Sequence, residues 1–86
     1  MPELAEYDPV LSAAAAAFLV ALPRSRQKLV ITLAFRLAKT PQRPGDYSST
    51  DDSGRPLQNI LLDDWHFTYW PDHAARELRI TDITEV

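Results

Sequence analysis

The sequence predicts an α+β fold: an antiparallel β-meander packed on an N-terminal two-helix hairpin. Three observations carry this. Leu57–Val86 falls into three runs of period-two alternation rich in aromatic and β-branched residues. Asp63-Asp64 and Pro71–Ala74 separate those runs with turn chemistry, and turns this short imply antiparallel pairing. Upstream, Val10–Leu22 and Arg24–Lys39 repeat apolar residues at helical spacing. With 86 residues the chain suits one domain, residues 1–86, with a modest core.

Taken in order, Met1–Tyr7 suits a short edge strand or a loose arm. Asp8-Pro9 reads as a helix start, with Asp at the N-cap and Pro at the first helical position. The alanines Ala13–Ala17 favour that helix, and Leu11, Phe18 and Leu22 share a stripe with Ala14 and Ala15. Pro23 closes it. In the second helix Leu29, Val30, Leu33, Ala34 and Leu37 form the expected buried stripe. Arg24, Arg26, Lys28, Arg36 and Lys39 lie mostly off it. Thr40-Pro41 stops this helix, because the residue before proline is pushed out of helical geometry. Pro41–Pro56 reads as a long loop with Tyr47 as its one candidate pin to the core. The strands follow as Leu57–Leu62, Trp65–Trp70 and Glu77–Ile83. Trp65, Phe67 and Tyr69 share one face of the middle strand; His66, Thr68 and Trp70 share the other. The helices cover the first face, and the second is free to act.

Composition removes several classes of function. The chain has no cysteine, so disulfides and thiolate metal sites are excluded. His66 and His73 have no ligand spacing around them, and two glycines cannot build a phosphate loop. No metal or cofactor is expected. No basic leader precedes the apolar run, and Val10–Leu22 is too short to span a bilayer, so a cytoplasmic location off the membrane is expected. Charge is divided along the chain. Residues 1–45 hold six cations against three carboxylates, and residues 46–86 hold three against nine. A strand layer that gripped a phosphate backbone would be basic, and this one is acidic.

Four groups carry candidate chemistry, each with a plainer alternative. His66, after Asp63-Asp64, is either a general acid or base oriented by a carboxylate, or a solvated strand residue. Trp70 either anchors a partner or is covered by the Pro41–Pro56 loop. Arg55, Arg76 and Arg79 either bind phosphate or pair with Glu77, Asp72 or Asp82. Arg24, Lys28 and Arg36 form a basic outer helix face that would steer an acidic partner.

The order of several short motifs resembles the RelE/ParE toxin superfamily of bacterial toxin–antitoxin modules. The matching residues are Leu22-Pro23, Leu37-Ala38-Lys39-Thr40-Pro41, Gly45-Asp46-Tyr47, Asp52-Ser53-Gly54-Arg55, Tyr69-Trp70-Pro71-Asp72-His73-Ala74 and Glu77–Ile83. The resemblance covers nearly the full chain. It implies a small sheet on a helical hairpin and a toxin-like protein neutralised by a cognate antitoxin. RelE-type members cut mRNA on the ribosome with basic and His/Tyr residues of the meander; ParE-type members inhibit DNA gyrase. Here His66 stands where the RelE pattern has Arg early in the middle strand. Asp82 and Glu85 stand where it has basic residues. Three functions therefore follow as expectations. The first is a toxin-like component acting by protein binding, with Trp70, Thr68, Arg24, Lys28 and Arg36 facing the antitoxin. The second is a ribosome-dependent mRNA endonuclease using His66, Arg55, Arg76 and Arg79. The third is a toxin-derived interaction protein without toxicity.

Overall fold

Alternation in the last third of the chain builds the centre of the structure. The computed structural model describes residues 6–86. β3 (Pro56–Leu62), β4 (Trp65–Asp72) and β5 (Glu77–Glu85) form the expected antiparallel meander. Trp65, Phe67 and Tyr69 are all buried, as their shared parity requires. In β5 the buried set is Leu78, Ile80 and Ile83, which breaks parity. A bulge explains it: Tyr69 pairs with Ile80 and Thr68 with Asp82, so Thr81 is the extra residue. That insertion returns Ile83 to the core face.

Two further strands make the sheet five-stranded and mixed, in the order β1-β5-β4-β3-β2. β1 (Asp8–Leu11) pairs parallel to β5, and β2 (Tyr47–Thr50) pairs antiparallel to β3. Both correct the sequence reading. Asp8-Pro9 does not start the first helix. The free edge of β5 takes Asp8–Leu11 instead, with Asp8 N–H donating to the Arg76 carbonyl at 3.1 Å. Asp-Pro suits an edge strand as well as a helix start, since the outward edge needs no donor from Pro9. Leu11 is therefore a strand residue. Of the arm expected at Met1–Tyr7, residues 1–5 lie outside the described residues. The Pro41–Pro56 loop contains β2, whose Tyr-Ser-Ser-Thr lacks apolar alternation.

α1 is shorter than expected, Ala13–Val20. Ser12 caps it by accepting the Ala15 N–H at 3.0 Å, and its own hydroxyl donates to the Thr81 carbonyl at 2.6 Å. α2 spans Arg24–Ala38 and buries Val30, Leu33, Ala34, Leu37 and Ala38. Leu29, expected in that stripe, is 44% exposed. Each residue turns the helix by about 100°, which carries Leu29 a full step away from Val30 and off the core side. The core lies between this stripe with Ala15 and the inner residues Ile60, Trp65, Phe67, Tyr69, Leu78, Ile80 and Ile83. Phe18 meets Trp65 edge-on, with centroids 6.0 Å apart.

Candidate functional site

The outer face of the sheet holds a polar network centred on Asn59. Asn59 is 3% exposed, and both polar atoms of its side chain are used. Nδ2 donates to Ser49 Oγ at 2.9 Å; Oδ1 accepts from Thr68 Oγ1 at 2.8 Å and lies 3.1 Å from His66 Nε2. An amide oxygen only accepts, so the network places a proton on His66 Nε2. Tyr47 stacks on the imidazole with centroids 6.0 Å apart and rings 21° from parallel. Its hydroxyl is 3.3 Å from Nε2, and Thr84 Oγ1 is 3.5 Å from Nδ1. His66 is thus half-buried and held by an amide, where the sequence suggested a carboxylate. Asp63 and Asp64 form the β3–β4 turn, with Asp63 at φ 56°. Tyr47 does not pin its loop to the core. It is 57% exposed and belongs to this face. Sequence reasoning missed Asn59, because an Asn inside an apolar strand carries no motif.

Farther along β4 the chemistry changes. Trp70 is half-buried, with the Arg55 guanidinium carbon 4.0 Å and that of Arg79 5.9 Å from its ring centroid. Both cations are also paired with carboxylates. Arg79 contacts Asp72 at 3.3 Å and Glu77 at 2.9 Å; Arg55 contacts Asp51 at 3.6 Å. Asp51 caps its own turn, and the Arg55 N–H first, then the Ser53 hydroxyl, hold its carboxyl below the usual range. Arg76 is exposed in the β4–β5 turn at φ 56°. His66 and Trp70 are four residues apart on one strand, roughly 13 Å. The structure thus gathers Arg55 and Arg79 at Trp70 but does not bring His66 to them. Thr68 is buried at 8% exposure, with its hydroxyl committed to Asn59. His66 is thus a hydrogen-bonded imidazole on the outer sheet face, within reach of the Tyr47 and Thr84 hydroxyls. Arg55 and Arg79, two of the cations that could stabilise a developing phosphorane charge, are engaged with carboxylates.

The helix side is different in character. Arg24, Lys28 and Arg36 are exposed on α2, which carries no carboxylate. Arg26 is the exception in reach: it pairs with Glu85 and lies 4.8 Å over the Trp65 ring. Ile31 and Phe35 are 41% and 54% exposed. A hollow between β1, α1 and α2 is lined by Leu11, Leu19, Val30, Ile31, Ala34 and Phe35. No group of three or more His, Cys, Asp or Glu suited to a metal occurs among the described residues. No described helix is long and apolar enough to cross a membrane.

No family model and no curated protein matches the sequence. Solved structures do match the fold. One is the toxin–antitoxin complex RelBE2 from Mycobacterium tuberculosis, at TM-score 0.73 and 17% identity, covering 94% of this chain and 99% of the other. Another is the archaeal RelE-RelB complex from Pyrococcus horikoshii, at TM-score 0.66 and 14% identity, covering 93% and 94%. At these identities the likeness is one of fold, and the described residues share the fold of these two structures.

Proposed function

We propose that this chain is the toxin-like component of a bacterial type II toxin–antitoxin module, acting in the cytoplasm by protein binding and neutralised by a cognate antitoxin. The observation that carries this reading is the fold match over nearly the whole of both chains to a toxin–antitoxin complex, RelBE2, and again to a RelE-RelB complex. The uncovered apolar and basic surface of α2 supports a protein partner. Induced expression in a bacterial host, with and without the product of the adjacent gene, tests it. Arrested growth that co-expression relieves is the expected result. Unimpaired growth with soluble, folded protein would leave only a non-toxic interaction protein.

A second reading has its own observation. His66, with the stacked Tyr47 and its contact to Asn59, is a side chain of the type that serves proton transfer in ribosome-dependent mRNA cleavage. Against it stand the pairing of Arg55 and Arg79 with carboxylates and the acidity of the sheet layer. Toeprinting on translating ribosomes separates this reading from protein binding. A-site cuts abolished by His66→Ala would establish it. A gyrase target would instead show as arrested supercoiling by the purified protein.

A further inference from the structure

One outer stripe of α2 has a pattern that core packing does not explain. Arg24, Lys28, Ile31, Phe35 and Lys39 recur at helical spacing, so they stand in one row from the start of the helix to its C-cap. All five are exposed. The row reads cation, cation, apolar, apolar, cation, and runs roughly 22 Å at 1.5 Å per residue. Its apolar centre opens into the hollow floored by Val30 and Ala34 and walled by Leu11 and Leu19. Arg36 flanks the row beside Phe35 and Lys39.

From this row we infer the partner segment that covers it: an amphipathic helix of about four turns, apolar in its middle and acidic at both ends. The inference rests on the proposed role as a component neutralised by a protein. Complementary charge argues for carboxylates opposite Arg24, Lys28 and Lys39, and like charge argues against a second copy laying its own α2 there. The neighbouring edge argues for a helix over an added strand. Asp8 and Ser12 N–H groups point to β5, so Pro9 lies on the free edge of β1. It offers no N–H to an incoming strand. A helix satisfies its own backbone and brings side chains at i, i+4 and i+7 to Ile31, Phe35 and the hollow.

The test uses the full chain and three synthetic 16-residue helical peptides, followed by fluorescence anisotropy. One peptide has a leucine centre and glutamate ends, one has lysine ends, and one has a serine centre. The glutamate-ended peptide should bind at least tenfold more tightly than either other. Phe35→Ala, at an exposed position, should lose at least tenfold with an unchanged melting curve. Lys28→Glu with Lys39→Glu should reverse the preference toward the lysine-ended peptide. Equal binding of the two charged peptides would overturn the inference. So would full affinity in Phe35→Ala, or a dimer in sedimentation that Phe35→Ala dissolves. None of these results depends on growth arrest, so failure here is distinguishable from failure of the toxin reading.

Discussion

Leu29 and Leu33 are one turn apart on α2, and only one is inside. Leu33 is 2% exposed within the core, whereas Leu29 is 44% exposed. Leu33→Ala should lower stability by about 2–5 kcal/mol, as buried large-to-small changes do. Leu29→Ala should stay within about 0.5 kcal/mol. Urea denaturation midpoints measure both. The apolar identity of both residues was legible in the sequence; the difference of one helical step was not. Tyr69 carries a second prediction at this scale. Its hydroxyl donates to the Arg43 carbonyl at 3.0 Å, and burial pushes its pKa above the usual 10.0. A raised folded pKa means that the protonated phenol is favoured by folding. That stability is fully present below pH 10.0 and is lost as pH rises through the higher folded value. The wild type should therefore weaken steeply in alkali, and Tyr69→Phe should flatten that slope. Denaturant midpoints between neutral and strongly alkaline pH read it directly.

At the scale of elements, long periodic stretches were legible and short edges were not. β3, β4, β5 and α2 announce themselves by period. β1 and β2 have four residues each and no readable alternation. Their strand state is decided by edges that β5 and β3 leave open, which is tertiary information. Gly45 shows how β2 is held. Its N–H donates to Gln58 Oε1 at 2.8 Å, and a Cβ there would lie 2.7 Å from the backbone nitrogen of Asn59 and closer still to its carbonyl oxygen. Backbone cannot step aside as a flexible side chain can. Gly45→Ala should cost about 1–3 kcal/mol, as overpacking does. Amide exchange should rise in Tyr47–Thr50 before it rises in β4. Because Tyr47 and Ser49 come from β2, the same change should loosen the Asn59–His66 network. The candidate site was half legible for this reason. His66 stands in a periodic strand, but Asn59 and Tyr47 reach it through an edge that no period marks.

Over the whole molecule the two layers differ in charge, and this sets what each can attract. The helical half is basic and the strand half acidic, as the composition of residues 1–45 and 46–86 indicates. The sequence also offered Trp70 as an anchor for a partner. Its ring is already flanked by Arg55 and Arg79, so binding there would first displace two cation–π contacts. The exposed row on α2 needs no such displacement. Association with an acidic antitoxin should then be steered by Arg24 and Lys28, and steering acts mainly on the association rate. Arg24→Glu combined with Lys28→Glu should slow association roughly tenfold in low salt. The defect should shrink as salt rises, since the Debye length falls from about 30 Å at 0.01 M to about 8 Å at 0.15 M. Trp70→Ala should leave that rate within about twofold, because it removes no charge from the helix layer. Stopped-flow mixing at several ionic strengths measures these rates. If Trp70→Ala slowed association while the charge reversal did not, the sheet face would be the docking surface and the basic helix layer a bystander.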